Sequence, residues 1–446
     1  MTQPAASAIP SRAITHRRVL AIAAPIVLSN VTVPLLGAVD TGVVGQLGAA
    51  APIGAVGLAA VILTSIYWIF GFLRMGTTGL TAQAVGAKTG AAARDEVAAT
   101  LQRALMIALA AGILMVLLQV PLIDLAFRIA PASGEVEDLA RAYLAIRIWG
   151  APATIALYAL NGWLIGSERT GAVLMIQLAM NGLNVGLDLL FVLGFGWGVE
   201  GVAIATLISE LGGAAIGLWL CRAALFVRLG GLLDAVALRE MARVNTDIMI
   251  RSILLQASFT SFMFLGAGQG DQTLAANQVL MQFLSITAYA LDGFAFAAES
   301  LIGQAVGARA PAQVLRAVKV TGAWGVIGAA GLGVSFFIAG PWIIDLMTTA
   351  PLVRETAREF LPWLVVAPLI GVTSWMLDGV FIGATLTREM RNAMVVSALV
   401  YAMAVIVLEP FGNHGLWAAL MVLNAVRGAT MFALFPRALR KAQGSP

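Results

Sequence analysis

The chain is 446 residues long, 60% hydrophobic and only 11% charged, with a mean hydropathy of +0.91. A soluble globule of this size could not hide that much apolar surface from water, so the composition points to a polytopic membrane protein. A formal charge of +4 and a pI near 9.6 do not mark a nucleic-acid binder, because the basic residues fall in alternate loops rather than along one stripe.

Apolar stretches of about 20 to 30 residues, the length an α-helix needs to cross hydrocarbon, alternate with short charged or Gly/Pro-containing segments. Barrel strands would alternate with period two instead. About twelve helical spans are expected, beginning near residues 18, 53, 99, 139, 171, 199, 245, 273, 318, 360, 391 and 414. The opening "MTQPAASAIPSRAITHRR" lacks the ordered features of a removable signal peptide, so the amino terminus is expected to be retained.

The first span ends in "LLGAVDTGVVGQLG", which places Asp40 in an apolar run. An ionised carboxylate in hydrocarbon costs about 2.5 to 3.5 kcal/mol on insertion scales, so it should face the protein interior or a wet cavity. Asp40 is then either a functional acid or an interfacial residue that pairs with an arginine or caps a backbone.

After the second span, "AQAVGAKTG" at 82–90 reappears as "GQAVGARAP" at 303–311, and "NGWLIGSERT" at 161–170 reappears as "DGVFIGATLT" at 378–387. Offsets near 220 residues describe two homologous six-helix halves of the same orientation, as alternating access requires. The expected units are residues 1–221, a linker at 222–243, and residues 244–446. The linker "RAALFVRLGGLLDAVALREMAR" suits either an amphipathic helix on the inner leaflet or a solvated connection.

In the fifth span, Gln177, Asn181, Asn184 and Asp188 are spaced four, three and four apart and line one helical face. Facing lipid, four polar groups would be unsatisfied, so the stripe should point inward. It offers oxygens to a small cation or a home for a proton, or else it joins helices through amide hydrogen bonds. Thr206 and, more weakly, Glu210 in the sixth span could complete the pocket.

The eighth span runs Gln278, Gln282, Ser285, Asp292 and Glu299, with Phe296 between the acids. That alternation suits contact with a lipophilic cation through a ring face and a carboxylate. Equally, Asp292 could neutralise Arg251 or Arg74. Asp378 stands where the first half has Asn161, and Phe262 roughly where it has Asp40, so the halves have diverged chemically.

The basic residues report topology. Arg12, Arg17, Arg18, Lys88, Arg94, Arg169, Arg222, Arg228, Arg239, Arg243, Arg309, Arg316, Arg388, Arg391, Arg437, Arg440 and Lys441 fall on one expected side, which places both termini in the cytoplasm. His16 and His414 lie outside the spans, leaving carboxylates to carry protons. A single cysteine, Cys221, excludes an internal disulfide. No phosphate-cradling loop with a lysine is present, so ATP hydrolysis is not expected.

Taken in order and spacing, "PLLGAVDTGVVGQLG", "AQAVGA", "NGWLIGSERTGAVLMIQLAMNGLNVGLDLLF", "GVEGVAIATLISE", "LDGFAFAAESLIGQAVGA" and "LDGVFIGATLTREMRNAM" make the chain resemble the multidrug and toxic compound extrusion (MATE) transporters, in particular their DNA-damage-inducible (DinF) branch. The resemblance implies an all-α membrane protein: about twelve transmembrane helices in two pseudo-symmetric six-helix bundles around a central V-shaped cleft. It implies export of lipophilic or cationic compounds across the inner membrane in exchange for protons or sodium. The chain would be a monomer needing no cofactor and no nucleic acid.

By the same resemblance, Asp40, Asn184, Asp188 and Thr206 form the coupling site for H+ or Na+, and Pro25 bends the first span. Asn161, Gln177, Asn181, Asp292, Phe296, Glu299 and Asp378 are the cavity residues expected from the sequence. The seventh-span acid of another branch has no counterpart in "SILLQASFTSFMFLGAG". A lipid-linked precursor flippase is the rival, and acid-lined stripes with few cavity arginines argue against it.

Overall fold

The structure is a computed structural model. It describes residues 13–46, 50–87, 90–129, 132–227 and 232–444, and within the helices the side chains of residues 35, 36, 38, 40, 41 and 50 fall outside the described ones. Asp40 therefore lies in a described helix, but its side chain does not belong to the described set.

The chain is helical throughout, with no strand among the described residues. Helices α1 (His16–Gly45), α2 (Ala50–Ile69), α3 (Gly71–Ala87), α4 (Ala91–Leu117), α5 (Gln119–Ile129), α6 (Gly134–Arg147), α7 (Ala151–Gly166), α8 (Thr170–Asp188) and α9 (Gly198–Leu225) form the first half. Helices α10 (Ala235–Ala267), α11 (Asp271–Gly307), α12 (Pro311–Met347), α13 (Pro351–Gly383), α14 (Thr387–Leu408), α15 (Gly412–Leu434) and α16 (Pro436–Ala442) form the second. Eleven described segments are long and apolar enough to cross a membrane. The last of them, Thr387–Ala442, holds both α14 and α15, so the eleven segments supply twelve passes. Two passes are broken in the middle, α2 from α3 at Phe70 and α6 from α7 at Ile148–Gly150, where Pro152 opens the second piece.

Helices α3, α4, α7 and α9 pack together in the first half, and α11, α12, α13 and α15 in the second. Helix α1 lies between the groups, with α8 on one side and α11 on the other. The connection between halves is shorter than the sequence suggests. Helix α9 continues to Leu225, and α10 already starts at Ala235, where the Asp234 carboxylate accepts from the Val236 and Ala237 amides at 2.7 and 3.2 Å. The turn is also tied to α4: Gln102 donates to the carbonyls of Ala224 and Val227, and Arg103 donates to that of Leu232.

The internal repeat is written into the backbone. Helices α7 and α13 end in the same cap. Glu168 and Thr385 adopt φ of 57° and 48°, and the following amides, Arg169 and Leu386, donate back to Leu164 and Phe381 at 2.7 and 2.8 Å. Glycines then set the crossings in matched pairs. A Cβ at Gly162 would lie 2.3 Å from the Arg74 carbonyl oxygen, and one at Gly379 would lie 2.4 Å from that of Ala295.

Where the halves meet, α3 crosses α11 with the same reciprocity: a Cβ at Gly86 would sit 2.0 Å from the Gln304 carbonyl oxygen, and one at Gly307 would sit 2.1 Å from that of Gln83. The two copies of the "QAVGA" repeat therefore pack on each other, backbone to backbone. This seam lies at the end of the bundle that holds the start of α1 and the end of α16, since Ile14, Ala305, Val306, Ala384, Ala438 and Ala442 share one buried cluster. Gln83 adds hydrogen bonds to Gly383 and Thr385 across it, and Arg18 joins Glu168 to Gln304. The two halves are thus in contact at the end where Ile14 and Ala442 sit.

Candidate functional site

The stripe on α8 turns inward. Asn184 and Asp188 have no exposure, and Asn181 is buried. Gln177 donates to Asn181 Oδ1 at 2.8 Å, and Asn181 donates to the Thr32 carbonyl of α1 at 3.4 Å. Asn184 Nδ2 donates to Thr206 Oγ1 of α9 at 3.2 Å, while that hydroxyl donates to the Val202 carbonyl at 2.9 Å. Asn184 Oδ1 is left buried without a hydrogen bond among the described residues, an open acceptor one helical turn before a buried carboxylate. The helix changes pitch at this point: a π-helical turn, Leu189–Gly194, follows directly on Asp188. Such turns are uncommon and gather at functional positions. Asn161 of α7 likewise keeps a buried Oδ1 without a partner among the described residues.

Pro25 sits inside α1, which stays helical through it and through Pro34. A proline at position 25 has no N–H for the Ala21 carbonyl, and the Thr170 hydroxyl of α8 takes that oxygen instead, at 3.5 Å. The missing backbone bond is thereby converted into a link between α1 and the stripe-bearing helix.

Glu210 does not join this group. Arg147 of α6 holds it in a two-pronged ion pair at 2.7 and 2.9 Å.

In the second half, several of the expected cavity residues have partners within the chain. Asp378 is no open cavity acid: its Oδ2 accepts from both Arg251 of α10 and Arg427 of α15, the latter at 2.6 Å, and all three residues are buried. Three charged side chains from three helices meet because none can be buried alone. Glu299, 2% exposed, is bound by Arg74 of α3 through Nη1 at 3.0 Å and Nη2 at 3.3 Å. The same guanidinium lies 3.9 Å over the Phe296 ring. The acid-and-aromatic pair read as a home for a foreign cation thus holds the chain's own. Asp292, half-buried, has no hydrogen bond or ion pair among the described residues, although Arg74, Glu299, Asp378 and Arg251 all lie within electrostatic reach. Gln278 and Gln282 are exposed, so the α11 stripe splits. Phe262, where the first half has Asp40, is fully buried and packs edge-on to Trp417.

From sequence, Arg74 and Arg251 read only as possible partners of Asp292, and nothing in the spacing ties Arg147 or Arg427 to an acid. The partners of Arg74, Arg147, Arg251 and Arg427 lie 225, 63, 127 and 49 residues away. Among the described residues, no group of three His, Cys, Asp or Glu could hold a metal ion.

Comparison with known proteins places the chain. The MatE family model matches residues 25–190 and again 248–408, one copy in each half. DNA damage-inducible protein F of Escherichia coli (strain K12) is 42% identical over 421 residues, covering 93% of this chain and 91% of that protein. The probable multidrug resistance protein NorM of Rhizobium meliloti (strain 1021) is 27% identical, with coverage of 97% and 96%. Among solved structures, an outward-facing multidrug resistance MATE family transporter of the MOP superfamily superposes with a TM-score of 0.85 at 20% identity, covering 96% of both chains. A MATE crystal structure in the bent conformation gives 0.84 at 19% identity over 96% of this chain and 97% of that one. The chain belongs to the MatE family of multidrug and toxic compound transporters, within the DNA-damage-inducible branch, and is a membrane transporter rather than an enzyme.

Proposed function

We propose that the protein is a secondary active exporter of lipophilic or cationic compounds, driven by cation antiport and coupled to protons. The observation that carries this reading is the Asn184–Thr206 hydrogen bond, one helical turn from fully buried Asp188, on helices that pack against one another and against α1. A carboxylate in such a place gains from binding either a proton or a small cation, and the two compete. Asp40 is assigned to the same site from its position on α1. Sodium is the alternative ion for Asp40, Asn184, Asp188 and Thr206, since the same oxygens serve both.

In the cycle proposed here, substrate enters from the side that holds Ile14 and Ala442, and the bundle then shuts at that end, where the two halves touch. Ion uptake by Asp40 or Asp188 rearranges α1 and weakens substrate binding. Pro25 contributes because its helix lacks one internal hydrogen bond and borrows a partner from α8. The two halves, residues 1–221 and 244–446, move as units about the turn between α9 and α10. Both termini are cytoplasmic and the membrane is the inner one, by the distribution of basic loops. The working form is a monomer.

Swapping one proton for one monovalent cation moves no net charge, so such a cycle draws only on the pH gradient, about 1.4 kcal/mol per unit. Strong accumulation calls for two protons per cation, which would add about 2.3 kcal/mol per 100 mV. The buried arginines do not favour a phosphate-binding flippase, because each is bound to a carboxylate. The test is uptake of tetraphenylphosphonium into vesicles containing the protein. Accumulation that follows an imposed pH difference supports the reading. Accumulation equal to that of protein-free vesicles overturns it.

A further inference from the structure

We propose that Phe296 and Glu299 form a binding site for planar, weakly hydrated organic cations, and that Arg74 is the chain's own competitor for that site. Arg74 fills it when the bundle is shut at the end holding Ile14 and Ala442, and substrate fills it when the halves part there. The assignment rests on the reading of the chain as a cation exporter.

The chemistry of the site is already displayed by its occupant. A guanidinium carbon 3.9 Å from a ring centroid, with both outer nitrogens on one carboxylate, marks a place suited to a flat, delocalised cation. A compact hydrated ammonium would use neither the ring face nor the fork geometry as well.

Position explains the competition. Arg74 belongs to α3 and the other two residues to α11, and these helices meet at the glycine seam. Backbone faces backbone at Gly86 and Gly307, and the ties there are a few hydrogen bonds, of Gln83 to Gly383 and Thr385 and of Arg18 to Glu168 and Gln304, which parting would exchange for water. When they part, Arg74 leaves with α3 while Phe296 and Glu299 stay on α11. Phe296 packs against buried residues of both halves, one group including Ile26, Leu160 and Ile176 and the other Leu291 and Met376. Separation therefore uncovers its face.

The internal repeat has no equivalent of this α3–α11 ion pair, and the α3–α7 crossing at Arg74 does not depend on the charge. With the offset of 221 residues between the "QAVGA" copies, Arg74 corresponds to Ala295 and Glu299 to Thr78. The glycine contact at Arg74 recurs at Ala295 almost unchanged, 2.3 against 2.4 Å, with no charge on the second side chain. A buried ion pair is also a weak source of net stability, because desolvation offsets most of its attraction. A built-in competitor gives the pair a use: its return expels the cargo and shuts the gate in one movement.

Ethidium, a planar aromatic cation, is the probe, with its affinity for the purified full-length protein read by fluorescence anisotropy. Arg74→Ala is expected to bind it about tenfold more tightly, because the site is no longer occupied by the protein itself. Arg74→Lys, which keeps the charge but loses the planar fork, should gain about threefold and covers the case in which the alanine variant folds poorly. Glu299→Gln or Phe296→Leu placed on the Arg74→Ala background should abolish the gain. Unchanged or weaker affinity in both Arg74 variants overturns the competitor assignment. If wild-type vesicles export no organic cation, the exporter reading itself fails. If they do export one and the Arg74 variants gain nothing, only this inference falls.

Discussion

Asn184 of α8 donates its amide hydrogen to the hydroxyl of Thr206 of α9 across 3.2 Å, at a point where Asn184 has no exposure. This bond orients the Asn184 amide, whose Oδ1 is buried without a hydrogen bond among the described residues, one helical turn before Asp188. Thr206→Val keeps the shape and removes the acceptor, at a cost of about 0.5 to 1.5 kcal/mol. Transport at limiting ion gradient should fall about three- to tenfold, with protein yield unchanged. Thr206→Ser should restore most of it. Rates measured in proteoliposomes across the three proteins check this.

The α3–α11 seam predicts a defect of movement rather than of folding. A side chain at Gly86 or Gly307 meets a backbone carbonyl at about 2 Å, which no rotamer relieves. Gly86→Val should disfavour the shut state by about 1 to 3 kcal/mol, the usual cost of overpacking. A cysteine placed at Gln83 should then be labelled from the side that holds Ile14 and Ala442 at least about fivefold faster than in the Gly86 parent, and export should fail.

In the second half, removing the acid that two arginines share should be severe. Asp378→Asn leaves Arg251 and Arg427 buried without their counter-charge and should cost about 3 to 5 kcal/mol. Asp292→Asn touches no hydrogen bond among the described residues and should cost less than about 1 kcal/mol. Thermal unfolding of the two variants in detergent, compared side by side, tests the contrast.

Outside the spans, Asp234 gives a pH dependence of known sign. Amide donation from Ala237 and Val236 holds its carboxyl below the ordinary carboxylate value. The cap is therefore fully present above about pH 4 and is lost as the pH falls through the lowered value. Hydrogen exchange at the first turn of α10 should speed up in that acid range, and Asp234→Asn should reduce the pH dependence.

The residues that sequence reading located well are those whose partners are implied by spacing along one helix. Gln177, Asn181, Asn184 and Asp188 could be placed on an inward face from intervals of four and three, and Asn181, Asn184 and Asp188 are buried there. The repeat was visible in "QAVGA", although its physical meaning, two backbones in mutual contact, needed coordinates. Arg74 and Glu299 are 225 residues apart, and no periodicity joins them. For the same reason Asp378 looked like a cavity acid, because the arginines that hold it come from α10 and α15. The π-helical turn after Asp188 was also missed, since a sixth residue in a turn leaves no mark in apolar sequence.

The most direct test of the account is transport by reconstituted protein with proton and sodium gradients imposed separately at zero membrane potential, on wild type and Asp188→Asn. The account predicts that a pH gradient alone drives wild-type exchange, and that the asparagine variant loses at least about tenfold of that rate, or ~1.4 kcal/mol of barrier. A wild-type rate indifferent to both gradients, or an Asp188→Asn rate equal to wild type, would contradict it.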